Sequence, residues 1–354
     1  MVLFRKKRDF TIPPTGLDTV ETVTLGGVEQ SILIQATDPT HPVLLFVHGG
    51  PCMPVPGVAS RGQDYAVAIT TKELVQHFVV VFWDQRAAGK SFHPSIPQES
   101  IRMEQFFKDC DELIDVLRSR FDQKKVFLAA HSWGTVIGLT VATRSPEKLH
   151  AYMGVSQILN WTENDQFCYD WLHARAIQSN DRRTLNALEK IGQPPYTHNL
   201  QNWLSFRKLL VANNSMIYKS KTVKHPGMLG GMKIFLRSPD YSWKDIYHAF
   251  KSAYDLTYTK EIIEDFAKIN LTAIEKVDVP VFFFHGKRDI HLDWKPVEAF
   301  VEKLDAPYGK ELILYPNSSH MFHPEEARQI EGSVIGIAKG ILARELSEHQ
   351  AVFE

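Results

Sequence analysis

The chain is poor in cysteine: Cys52, Cys110 and Cys168 are the whole complement of 354 residues. The basic run Arg5-Lys6-Lys7-Arg8 is not followed by the apolar segment that a secretory leader needs. A disulfide framework is therefore not expected, and a reducing cytoplasm is the expected setting. Excess charge of either sign is also missing, with 40 Lys plus Arg against 41 Asp plus Glu. That balance gives no support to a nucleic-acid or anionic-lipid partner, and the short basic run reads as a solvated arm. No apolar stretch reaches the length of a membrane span. Internal repeats and low-complexity tracts are absent too. What remains is 44% hydrophobic and 23% charged, the composition of an ordinary globular protein. Its length suits one large domain with an insertion or two smaller ones.

The apolar pattern divides the chain in three. Residues 18–37 alternate as an antiparallel hairpin around Gly26-Gly27. After it, solid apolar runs recur: Val43 to Val47, Phe78 to Trp83, Val126 to Ala130 and Ala151 to Ser156. Helical spacing lies between them, around Tyr65 to Gln76 and from Met103 to Arg120. Strands apolar on both faces, alternating with helices, predict a parallel sheet covered on both sides. From about Gln157 to Leu271 only helical patterns are found: Trp161 to Gln178, Asp181 to Ile191, Asn199 to Val211, Trp243 to Tyr254 and Lys260 to Ile269. Pro194-Pro195 and Gly227 to Gly231 read as breaks between them. Strand character returns at Val279 to Phe284 and Glu311 to Tyr315, with helices around Lys295 to Leu304 and Pro324 to Leu346. The reading is an α/β fold at 1–156 and 272–354, with a helical cap at 157–271 inserted between two strands of one sheet.

The strand Val126 to Ala130 ends at His131-Ser132-Trp133-Gly134, and helical spacing resumes at once. Small residues two positions either side of Ser132, Ala130 and Gly134, suit a strained strand-to-helix turn that lifts a hydroxyl to the carboxyl edge of a sheet. A serine hydroxyl needs a base to take its proton, and that base needs an orienting group. His320 and Asp289 follow Ser132 in chain order, each on a loop after a strand, as general base and orienting carboxylate. His131, His291, Asp293 and His323 are their sequence neighbours. His320 and His323 have a spacing that could hold zinc, but no third ligand accompanies them, so no metal or cofactor is expected. Oxyanion donors would be the backbone N–H of Trp133 and one from the turn after His48, Gly50 in first place and Gly49 in second.

These residues resemble the α/β-hydrolase fold, and within it the prolyl aminopeptidase (proline iminopeptidase) branch of serine peptidases. The likeness lies in His48-Gly49-Gly50-Pro51, in Asp84-Gln85-Arg86 with Gly89 and Ser91, in His131-Ser132-Trp133-Gly134, and in the Asp289 and His320 loops. It implies an acyl-enzyme on Ser132 with oxyanion donors at Gly50 and Trp133. The chain departs from the pattern at Cys52 and Ala87, where the family usually has Gly, and at Ala130 and Thr135. Cys52 stands beside the oxyanion turn and would shape the substrate pocket. The branch binds a substrate amine with cap carboxylates, commonly in a Trp-Glu dipeptide, and this chain has none. Glu163 and Asp165 are the nearest candidates, and they read equally as first-turn helix residues.

Two enzyme readings follow. One is a hydrolase of a small ester or amide, with release of N-terminal proline as the family precedent. The other is a carboxylesterase or lactonase whose cap pocket uses Trp161, Phe167, Tyr169 and Trp171, although that stripe also reads as cap core. A third reading is a ligand-binding homologue without turnover. Epoxide hydrolase and dehalogenase chemistry is disfavoured, because those enzymes place Asp where Ser132 stands. The expected partner is a small molecule or short peptide.

Overall fold

A computed structural model describes residues 10–55, 67–197 and 199–351. The basic run at 5–8 and the amino end of the expected helix at Tyr65 lie outside these residues. Eight strands form one sheet: β1 (Leu17–Leu25), β2 (Val28–Ala36), β3 (Val43–Val47), β4 (Val79–Asp84), β5 (Val126–His131), β6 (Leu149–Val155), β7 (Val281–Gly286) and β8 (Lys310–Tyr315). Their order is β1-β2-β4-β3-β5-β6-β7-β8. The expected hairpin, β1 and β2, pairs antiparallel and joins β4 antiparallel, while every pair from β4 to β8 is parallel.

The solid apolar runs are explained by burial on both faces. Along β3, Leu45 and Val47 join one core while Leu44 and Phe46 join the other. Val126, Leu128 and Ala130 of β5 point to the first, Phe127 and Ala129 to the second. Such alternation follows from a side-chain period of two. The first core is covered by α1 (Met103–Arg120) and α2 (Trp133–Arg144), which pack on each other and on β3 and β5. The second is covered by the carboxyl-terminal helix Pro324–Ala351, through Ala327, Ile330, Val334, Ala338 and Ile341.

Between β6 and β7 the described residues form helices and no sheet strand: α3 (Trp161–Gln178), α4 (Arg182–Ile191), α5 (Leu200–Ala212), α6 (Gly227–Arg237), α7 (Trp243–Tyr247), α8 (Ala253–Thr257) and α9 (Lys260–Ala267). The chain leaves and rejoins the sheet layer at a narrow neck. There Leu271 N donates to Leu159 O at 2.7 Å, and Asn160 bridges Asn270. Helices α10 (Lys295–Lys303) and α11 (Pro324–Ala351) complete the chain.

Three local expectations are corrected. The described part of the 65–76 segment holds one 3-10 turn, Leu74–Gln76, in which only Leu74 and Val75 are buried. Gly227 to Gly231 does not break the chain but begins α6. Gly227 enters at φ +77°, and a side chain at Gly230 would stand 2.5 Å from Cβ of Pro226, so the glycines permit the tight start. Trp243 to Tyr254 is not one even helix, because a π-helical turn at His248–Ser252 separates α7 from α8. No helix among the described residues is long and apolar enough to cross a membrane.

Candidate active site

Ser132 joins β5 to α2 at φ 52° and ψ −122°, a positive-φ conformation that a non-glycine residue seldom enters. Its neighbours hold it there. Ser132 N donates to Val155 O at 2.9 Å, and Ser132 O accepts from the Thr135 amide at 2.8 Å and hydroxyl at 2.5 Å. The small residues have a steric reason. A Cβ on Gly134 would run into the carbonyl oxygens of Val47 and His48, and one on Gly138 would lie 3.0 Å from Cβ of Ala130.

The motif residues of the β3 and β4 loops brace this turn. Trp133 Nε1 donates to Gln85 Oε1 at 2.9 Å, and Gln85 Nε2 donates to His48 O at 2.7 Å. Arg86 is 1% exposed and grips Asp109 with two bonds of 2.9 and 3.0 Å. Gly49 stands against the serine, since a side chain there would come 3.1 Å from Ser132 Cβ. Gly50 sits at φ +128°, and its carbonyl accepts the Tyr258 hydroxyl at 2.9 Å. Cys52 is buried behind this turn, and burial pushes its thiol up to about 12.

Asp289 and His320 lie past β7 and β8. The two loops are zipped together: Lys287 N donates to Tyr315 O at 2.8 Å and Arg288 N to Ser318 O at 2.9 Å. His320 Nδ1 and Asp289 Oδ2 are 3.0 Å apart, with side-chain exposures of 4% and 0%. The other carboxylate oxygen accepts the amides of His291 at 2.8 Å and Leu292 at 2.9 Å. Burial alone would raise the Asp289 carboxyl; the neighbouring His320 charge and hydrogen bonds outweigh it and hold the group below the ordinary range. His131 and His291 flank His320, with ring centres at 5.2 and 4.9 Å. Burial first, and then repulsion from His320, pulls both well below the usual histidine range, so both are neutral near pH 7. Among the described residues no hydrogen bond joins the Ser132 hydroxyl to His320.

A cavity of about 200 Å³ opens over Ser132, bounded below by Gly50 and Trp133 and beside by His291. Its roof comes from the inserted helices: Trp161 of α3, Trp203 and Arg207 of α5, and Tyr258 after α8. A wider groove of about 630 Å³ runs between Arg144 and Lys268 and holds none of Ser132, Asp289 or His320.

The structure thus brings Ser132, Trp133, Gly50 and Trp161 to one cavity, with Gly49 pressed on the serine. Two expected pocket residues are not brought there. Glu163 is exposed at the first turn of α3, where its amide is capped by Asn160, and it borders a separate recess of about 50 Å³. Cys52 does not line the cavity. Asp165 is buried and ion-paired with Arg207. Of the aromatic stripe only Trp161 reaches the cavity; Phe167 borders the small recess, Tyr169 packs on Phe206, and Trp171 lies under Arg175. His323 faces away, bonded to Lys224 O at 3.0 Å. Among the described residues no group of three or more His, Cys, Asp or Glu side chains could hold a metal ion.

Sequence reasoning did not single out Arg207, Trp203 or Tyr258. Trp203 and Arg207 are four apart and share one face of α5, a spacing any helix offers many times. Which face meets the serine is set by the neck and by packing of α5 against α4, not by its own periodicity.

Comparisons with known proteins agree with this architecture. The family described as "alpha/beta hydrolase fold" matches residues 42–327. A probable aminopeptidase, YbaC, of Bacillus subtilis (strain 168) is 29% identical over 307 residues, spanning 86% of this chain and 91% of that protein. The crystal structure of a proline iminopeptidase-related protein of Thermus thermophilus superposes with a TM-score of 0.61 at 16% identity, covering 92% of this chain and 98% of the other. Proline iminopeptidase of Mycobacterium smegmatis gives 0.59 at 16% identity, over 92% of this chain and 100% of that one.

Proposed function

The chain belongs to the alpha/beta hydrolase fold family, and on that premise we propose that it is a serine hydrolase acting on a small ester or amide through an acyl-enzyme on Ser132. The observation that carries the reading is the buried 3.0 Å contact between His320 and Asp289, on loops beside a serine held at φ 52°. In this reading Ser132 Oγ attacks the carbonyl carbon while His320 Nε2 accepts its proton. Asp289 keeps the Nδ1 proton on its own side and stabilises the imidazolium. The oxyanion is met by the amides of Trp133 and Gly50, the first at the amino end of α2. His320 then returns the proton to the departing alcohol or amine, and water repeats the sequence to free the acid. The leg from serine to histidine closes when substrate enters, as catalytic hydrogen bonds in empty sites commonly do. Residues 157–271 act as the cap that roofs this chemistry.

The named relatives make amide cleavage after an N-terminal proline the first peptide reaction to test. The roof argues for the ester reading instead. Among the described residues no carboxylate lines the cavity to pair with a substrate ammonium. A fluorophosphonate probe should label the protein stoichiometrically and fail to label Ser132→Ala; an unlabelled wild type defeats the proposal. Parallel assays with prolyl 4-nitroanilide and 4-nitrophenyl acetate decide between amide and ester.

A further inference from the structure

The roof of the cavity carries a cation. Arg207 has a side chain 15% exposed and lies over the rings of Trp161 and Trp203, at 5.5 and 5.2 Å. Its Nη2 donates to Asp165 Oδ1, which fixes the guanidinium in place. That bond uses one of five donors. Nε of Arg207 is buried with no partner among the described residues, and so is Nε1 of Trp161. Both side chains line the cavity that holds Ser132. Both nitrogens are closed off from the cavity as well, and the donor left open to a ligand is Nη1 of Arg207, which makes no hydrogen bond among the described residues and is not buried.

Among the described residues, the groups around this cation supply no competing charge from the cavity wall. His291 is neutral near pH 7, for burial lowers it most and His320 and Arg207 repel a proton from it further. Tyr258 keeps its proton because of burial. Among the described residues Asp165 is the one carboxylate paired with Arg207, and it does not line the cavity. An arginine fork matches the planar geometry of a carboxylate better than any other common anion receptor.

Resting on the serine hydrolase reading above, we propose that the enzyme selects acyl groups bearing a terminal carboxylate, which the guanidinium of Arg207 receives. At about 200 Å³ the cavity is smaller than the usual range of roughly 300–1,000 Å³ for sites enclosing larger ligands. It therefore holds a short acyl chain, of the length of a dicarboxylic acid monoester.

The test compares monoethyl glutarate with ethyl valerate, equal in chain length and differing in the terminal carboxylate, by acid release in a pH-stat. Wild type should favour monoethyl glutarate in kcat/KM by at least about tenfold, the worth of one charge-assisted hydrogen bond. Arg207→Gln should cancel that ratio, whereas a merely structural lesion would lower both rates and leave the ratio standing. Because Arg207→Gln strands the Asp165 carboxylate, the double variant Arg207→Gln/Asp165→Asn is measured beside it. A wild-type ratio at or below one, or a ratio that survives both variants, overturns the proposal. Calorimetric titration of Ser132→Ala with monoethyl glutarate separates the two readings. Binding that disappears on adding Arg207→Gln/Asp165→Asn sustains the carboxylate site even if fluorophosphonate labelling fails and the hydrolase reading falls; no binding removes the site.

Discussion

At Ser132 the backbone holds a conformation costing on the order of 1–3 kcal/mol, maintained by bonds to Val155 and Thr135. Glycine adopts that conformation freely, so Ser132→Gly should stabilise the fold by about 1 kcal/mol while abolishing turnover; thermal melting beside an ester assay measures both. A lower melting temperature would mean that the turn is not strained. The reverse holds two residues on. Gly134→Ala pushes a methyl into two backbone carbonyls that cannot move aside, and a loss of about 2–3 kcal/mol or more is expected in denaturant unfolding. At Asp289, replacement by Asn removes the negative partner of His320 without altering size. Turnover should then fall by about 10³–10⁴-fold with the melting curve little changed in shape. The turn and the two loops were readable in the sequence because their signals are local: a small-Ser-small turn after an apolar strand, and two loop residues that each follow a strand.

The elements meet through a few polar clamps between the inserted helices and the sheet. At the end of β4, Asp84 is fully buried and accepts the Tyr241 hydroxyl at 2.5 Å and the Lys90 amide at 2.8 Å. Lys90 reaches on to Asp245 of α7 at 3.0 Å, and on the other side Arg102 grips Asp265 of α9. Burial raises the Asp84 carboxyl to about 7, with the Tyr241 bond pulling it back. Its unfolded value is near 4, so between about pH 4 and pH 7 unfolding releases a proton and stability falls as pH rises; below that window the contribution is fully present. Tyr241→Phe removes a bond to the charged form, lifts the carboxyl further and extends the fall upward. Its loss of stability should be greater at pH 8.5, about 1–3 kcal/mol, than at pH 5.5, as measured by urea unfolding at the two pH values. Equal losses would mean that Asp84 does not titrate in the folded protein.

Across the whole molecule, the three thiols are buried and unpaired. Burial raises the pKa of Cys52, Cys110 and Cys168 above the ordinary thiol range, so none is a ready thiolate. A disulfide reagent at neutral pH should find no fast-reacting thiol in the native protein and three once it is unfolded in guanidinium. A single rapid thiol in the native protein would mean that the turn at Cys52 opens.

Read by itself, the sequence determined the sheet, because strands buried on both faces must be apolar throughout and cannot hide that in their composition. It also placed Ser132, Asp289 and His320 on loops after strands of one sheet, since a loop at the carboxyl end of a parallel strand delivers its residues to one edge whatever surrounds them. Of the inserted helices, α3, α4, α5 and α9 were legible from their 3.6-residue period, whereas α6 was not and α7 and α8 read as one. The faces of these helices were not legible, nor was the helical start at Gly227, where space beside Pro226 rather than propensity decided. Only the tertiary structure decided that Glu163 points to solvent and that Arg207, anchored by Asp165, stands over the serine. The physical reason is one of range. Period and turn chemistry act within a few residues, whereas the charge that meets a substrate depends on how helices from opposite ends of the insertion settle on the neck formed at Leu159 and Leu271.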